Sequence, residues 1–165
     1  MVTNADIKIL DEFLKNRDVN YVLTGSAALF YHGMLMKGNL SVNDIDIIVL
    51  TTHDTRKPLQ TMFKELERLT GCDKINNYPT QNCYTFKVGP NNVLVNVFEG
   101  PLGDVPYCQM NIDNDTEICV HPVMNILERK FGLRRQKDYD YYLALIQHMS
   151  SLFFQSLKCD ICSRK

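Results

Sequence analysis

The stretch YVLTGSAALFYHGMLMKGNLSVNDIDIIVL, from Tyr21 to Leu50, decides how the rest of the chain is read. An apolar run, Tyr21 to Leu23, leads into Thr24-Gly25-Ser26, then a short amphipathic segment from Ala27 to His32, then a second apolar run that opens on Asp44-Ile45-Asp46. The order is strand, glycine turn, helix, loop, strand. Side chains alternate faces along a strand, so Asp44 and Asp46 point one way while Ile45 and Ile47 point the other. Two carboxylates so close repel each other and raise their own pKa unless a cation lies between them. Mg²⁺ or Mn²⁺ would resolve that conflict, since hard divalent cations are commonly held by one or two carboxylates plus substrate phosphates. Backbone N–H groups at the Gly25-Ser26 turn supply a matching anion site.

Outward from this stretch, Cys83 to Val88 and Val93 to Phe98 are two β-rich runs around Gly89-Pro90-Asn91-Asn92, a hairpin signal. The second run reads Val93-Leu94-Val95-Asn96-Val97-Phe98-Glu99-Gly100.

Strand, Gly-Ser, short helix and an Asp-x-Asp strand, in that order, resemble the nucleotidyltransferase fold of the DNA polymerase beta superfamily. More narrowly, the set is similar to the small bacterial nucleotidyltransferases of the abortive-infection and toxin–antitoxin type. A second block, Arg135-Gln136-Lys137-Asp138, resembles the R-x-K-D core of that group's helical motif K-l-x-x-R-x-K-D-x-x-D. Its next acid, Asp140, comes one residue early, and Tyr141 stands where the pattern asks for it. Together the blocks and the elements between them cover Tyr21 to Gln147.

The resemblance implies an α/β (α+β) fold with a mixed sheet of about five strands covered by helices. Residues 1–122 would form the core and 123–165 a C-terminal helical extension of the same domain. It also implies a Mg²⁺- or Mn²⁺-dependent transfer of a nucleoside monophosphate from a nucleoside triphosphate to a hydroxyl on a protein, RNA or small molecule. Asp44 and Asp46 would be catalytic and hold the metal, Gly25 and Ser26 the triphosphate, and Lys137 a phosphate or the acceptor.

Where the family carries a third carboxylate, this chain has Asn96. An amide can offer one carbonyl oxygen but takes no proton. Three readings stand: a relative that binds nucleotide without transferring it, substitution by Glu99, or a deliberate carboxylate-to-amide change. Glu99 is three residues on and faces the other side of a regular strand, so it substitutes only through a bulge. Two functions follow, an active nucleotidyltransferase and a non-catalytic module that binds nucleotide or a partner protein, and residue 96 discriminates them.

The 165 residues suffice for one domain with its own core. A net charge of −1 demands no nucleic acid partner globally. No apolar run approaches ~20 residues and no signal pattern opens the chain, so a cytoplasmic protein without membrane contact is expected. The six cysteines are irregularly spaced and read as reduced. Cys159-Asp160-Ile161-Cys162 lacks the two further ligands of a zinc site.

Thr3 to Arg17 reads as a helix capped by Thr3 and Asp6, with Ile7, Leu10, Phe13 and Leu14 on one face. A helix with Pro58 in its first turn carries the stripe Leu59, Met62, Phe63, Leu66 and Leu69 and stops at Gly71. Residues 100–115 read as loop, Ile118 to Val120 as the last strand, and Val123 to Phe131 as a helix stopped by Gly132. His32 and Lys37 each admit a ligand contact or a plain helix-end and loop role. Arg134, Arg135 and Lys137 form the densest basic cluster, either facing a nucleotide or ion-paired at a helix start. A long helix from Lys137 to about Leu157 is partly core, and its remaining apolar surface suits a homodimer or a partner protein.

Overall fold

The computed structural model describes residues 1–33, 42–73 and 83–133, with single helical positions between 139 and 155. Its elements are α1 (Asn4–Lys15), β1 (Tyr21–Thr24), α2 (Gly25–Tyr31), β2 (Asp44–Thr51), α3 (His53–Leu69), β3 (Tyr84–Val88), β4 (Val93–Pro101), β5 (Cys108–Asn111), β6 (Glu117–Val120) and α4 (Val123–Leu133). The six strands make one mixed sheet in the order β3-β4-β2-β1-β6-β5. β2 runs parallel to β4 and antiparallel to β1, while β1 runs parallel to β6.

Strand alternation divides the sheet into two unlike faces. Ile45, Ile47 and Val49 of β2, Val95 and Val97 of β4 and Phe86 of β3 lie on one face, each at most 1% exposed. Against them pack Ile7, Leu10 and Leu14 of α1 and Phe63 of α3. Phe86 is the meeting point, its ring 5.8 Å from Phe13 and 6.0 Å from Phe63. Burying each such side chain stabilises the fold by roughly 1.5–3 kcal/mol. The opposite face carries Asp44, Asp46 and Ile48 of β2, Asn96 and Phe98 of β4, Thr85 of β3 and Thr24 of β1, as the register fixes. Apolar residues thus commit one face to the core and leave polar groups gathered on the other.

Local signals place several elements as expected. Thr3 and Asp6 form a reciprocal capping box at the start of α1, Asp6 Oδ2 accepting from the Thr3 backbone at 2.9 Å. Three expectations change. The sheet has a sixth strand, because Cys108–Asn111, inside the stretch read as loop, pairs with β6 from Cys108↔Val120 to Asn111↔Glu117. Pairing at the sheet edge forms β5, not a β-rich composition. α3 begins at His53 behind a Thr52–Thr55 capping box, so Pro58 lies in its second turn and costs one helical hydrogen bond there. α4 continues through Gly132 to Leu133, since one glycine weakens a helix by about 1 kcal/mol without ending it. Of the apolar positions on the long helix after residue 137, Tyr139, Leu143, Ile146 and Met149 are exposed, and Tyr142, Phe153 and Leu157 lie outside the described residues.

Candidate active site

β2 and β4 bring Asp44, Asp46 and Asn96 together. They are paired strands in unbroken parallel register, Asp46 opposite Asn96. Asn96 Nδ2 donates to Asp44 Oδ2 at 3.1 Å and to Asp46 Oδ1 at 3.0 Å, so one amide nitrogen bridges both carboxylates. Its oxygen accepts from Thr85 Oγ1 at 3.2 Å, and Thr85 is 3% exposed. The hydroxyl engages the amide oxygen and leaves the nitrogen facing the acids. Burial raises the Asp46 pKa first and repulsion from Asp44 second; the Asn96 hydrogen bond, Lys130 and Arg129 oppose them. Burial, then the charge of Asp46, likewise pushes the nearby Cys83 thiol up to about 12.

Gly25 sits directly against this pair. Its φ is +67°, a conformation L side chains rarely adopt, and an added Cβ would fall on Asp46 Oδ2 and within 2.9 Å of Asp46 Cβ and Cγ. Ser26, next along, accepts a hydrogen bond from Lys130 Nζ at 3.4 Å. Lys130 is 7% exposed on α4. Its ammonium also acts on Asp46, where it favours the charged carboxylate. Arg129, one residue earlier, lays its guanidinium 4.1 Å over the Phe98 ring, two residues along β4 from Asn96.

The sequence singled out Asp44, Asp46, Asn96, Gly25 and Ser26, and the fold gathers all five. It did not single out Lys130, Arg129 or Thr85. Lys130 had a signal, a lysine continuing the apolar positions Val123, Ile126 and Leu127 where a core residue is expected. Thr85 had none, being ordinary for a strand. Lys137, Lys37 and the pair Cys159 and Cys162 lie outside the described residues. His32 caps α2, with Nε2 2.9 Å from the carbonyl oxygen of His121. Glu99 pairs with Arg56 at 3.1 Å, and the register runs straight through it, so no bulge turns it toward the acids. That pair lines a cavity of about 670 Å³ at the start of α3. The cavity includes Thr51, five residues along β2 from Asp46 and so roughly 16 Å away, and none of the five gathered residues lines it.

The donor set suits a hard divalent cation. Among the described residues no three His, Cys, Asp or Glu side chains cluster as a metal cage. Asp44 and Asp46 instead share one position, marked by the single amide nitrogen within hydrogen-bonding reach of both. Two carboxylates converging on one point form a donor pair of the kind Mg²⁺ uses when phosphate oxygens complete its shell.

No protein-family model and no curated protein matches the chain in sequence. Solved structures do match in shape. A putative nucleotidyltransferase from Thermotoga maritima superposes with a TM-score of 0.51 at 17% identity, over 90% of this chain and 96% of that one. An antigenic nucleotidyltransferase-like protein from Paracoccidioides brasiliensis gives 0.52 at 15% identity, over 87% of this chain and 73% of that one. ANT(2")-Ia in complex with adenylyl-2"-tobramycin gives 0.51 at 11% identity, over 98% and 97%. With the mixed sheet, the Gly-Ser turn and the paired aspartates in place, this chain has the nucleotidyltransferase fold.

Proposed function

We propose that the chain binds a nucleoside triphosphate with Mg²⁺ or Mn²⁺ and transfers the nucleoside monophosphate to a hydroxyl acceptor, releasing pyrophosphate. The observation that carries this reading is the convergence of Asp44 and Asp46 on one point directly against Gly25. In this reading Asp44 and Asp46 hold the cation, whose charge neutralises the triphosphate when bound. Gly25 lets the phosphates approach the acids because no side chain intervenes. Ser26 and Lys130 meet the phosphates, with the ammonium already drawn to the hydroxyl. Transfer forms a bond from acceptor oxygen to the α-phosphorus and breaks the bond to the leaving pyrophosphate. The acceptor's proton must go to a group other than Asn96. A protein, an RNA and a small molecule all offer such a hydroxyl; the adenylylated tobramycin held by ANT(2")-Ia is a small-molecule example.

One observation favours a second reading, a nucleotide-binding module with little turnover. Asn96 Nδ2 presents donors to both aspartates, a neutral tie where a third negative charge would strengthen metal binding and take a proton.

Calorimetry tests the shared part of both readings. Mg²⁺ alone should bind weakly, and a nucleoside triphosphate should bind at least about tenfold more tightly with Mg²⁺ than without it, because phosphates complete the coordination shell. Equal affinity with and without metal, or in the Asp44→Asn, Asp46→Asn double variant, would refute the assignment.

A further inference from the structure

Phe98 follows Asn96 by two residues on β4 and therefore lies on the acid-bearing face, about 7 Å along the strand. It is 8% exposed and packs with Ile48 and Cys83 in a small apolar cluster of its own, apart from the main core. Over this ring lies the guanidinium of Arg129, 4.1 Å from the centroid. A guanidinium over an aromatic face is attracted by the ring's charge distribution, which restricts the positions its N–H groups can take. Lys130 follows Arg129 on α4 and reaches Ser26. α4 thereby brings two consecutive cations to the acid-bearing face, one at the Gly-Ser turn and one over Phe98.

We infer that Arg129 is a phosphate-contacting residue that grips the end of a polyphosphate chain remote from the Asp44–Asp46 pair, and that Phe98 is the positioning residue fixing its guanidinium. The inference rests on the nucleotide-binding reading and adds what recognises the phosphates beyond the metal. A planar fork of donors matches phosphate oxygens two at a time, whereas an ammonium offers a point charge. Phe98 has a second consequence. Its ring removes water from one side of the guanidinium, which strengthens any contact made by the other edge.

The experiment uses inorganic tripolyphosphate with Mg²⁺, a probe with no base or sugar, titrated calorimetrically into the full chain. Arg129→Gln should weaken binding by about 10- to 100-fold, as for loss of a charge-assisted pair. Arg129→Lys should recover only part, since charge returns without the fork. Phe98→Leu, which keeps an apolar side chain but removes the ring face, should weaken binding by roughly three- to tenfold with Arg129 intact. Pyrophosphate should be affected less than tripolyphosphate, a difference that a purely structural role for Arg129 would not produce. Should Phe98→Leu fail to fold, the two Arg129 variants and the phosphate-length comparison decide. Unchanged tripolyphosphate affinity in Arg129→Gln, while Asp44→Asn loses binding, overturns the inference and leaves the nucleotide reading standing. No tripolyphosphate binding by the native chain, or binding indifferent to Asp44 and Arg129 alike, overturns both.

Discussion

Replacing Gly25 by alanine tests how tightly the glycine turn and the acid pair are joined. Two costs follow from the structure. At φ +67° an L residue loses about 1–2 kcal/mol to the contact between its Cβ and the backbone. The new Cβ also falls on Asp46 Oδ2 and within 2.9 Å of Asp46 Cβ and Cγ. Asp46 is tied to Asn96 at 3.0 Å, so either that bond breaks or the start of α2 shifts, an overpacking cost of about 1–3 kcal/mol. The total of about 2–5 kcal/mol corresponds to a fall in Tm of roughly 5–15 °C for a domain of this size. Thermal melts by circular dichroism measure it, and calorimetry should find Mg²⁺-triphosphate binding lost as well. Asp46→Ala removes Oδ2 and Cγ but keeps Cβ, so the Gly25→Ala, Asp46→Ala double variant should recover part of the clash and none of the backbone strain. The cycle should return a coupling of about 1 kcal/mol or more. A Tm within about 2 °C of native for Gly25→Ala, or strictly additive effects, would refute the close approach.

Lys130→Met should lower Tm at neutral pH without metal, because it removes a buried cation that offsets the charge of Asp46 and leaves the acid pair less compensated. It should weaken triphosphate binding about 10-fold or more through loss of the ammonium beside Ser26. Asp46 has a raised pKa, so its contribution to stability is full below its ordinary value of 3.8 and lost as pH rises through the raised one. Asp46→Asn should therefore melt higher than the native chain at neutral pH without metal, and an equal or lower Tm would contradict the burial and repulsion assigned to it. His121 is shifted the other way, below 6.5, by burial and then by Arg129. Its neutral ring stabilises the fold above pH 6.5, and that contribution disappears as pH falls through the lowered pKa. Denaturant melts of His121→Gln against native across pH 7 to 5 should give a shallower decline in the variant.

The site was legible in the sequence to the extent that it is built by periodicity. Asp44-Ile45-Asp46 forces two carboxylates onto one face, and an Asn96 flanked by valines must take sides in the same way. Register alone then sets Asp46 opposite Asn96. What strand periodicity does not encode is which distant helix covers that face. Arg129 and Lys130 arrive from α4, more than a hundred residues after Ser26, and the stacking of Arg129 on Phe98 has no local sequence cue. β5 was missed for a related reason: Cys108-Gln109-Met110-Asn111 has little intrinsic preference for a strand and becomes one by pairing with β6. Pro58 misled because its tolerated position at a helix start is a preference, and a longer amphipathic stripe with its own capping box overrides it.

The most direct measurement is nucleotide transfer by Asn96→Asp compared with the native chain. Asn96 donates to both aspartates at 3.1 and 3.0 Å, so an isosteric carboxylate there lies beside the same pair without changing the shape of the site. Metal and nucleotide should still bind, and the added charge and proton acceptor should act mainly in the transition state. Label from an α-labelled triphosphate appearing on acceptor, or pyrophosphate released, should rise by about 10²- to 10⁴-fold. The third carboxylate should also lower Tm without metal and enlarge the rise that Mg²⁺ produces. No gain in transfer across a panel of triphosphates and acceptors, together with no larger Mg²⁺-induced rise in Tm, would contradict the catalytic reading and leave the binding module.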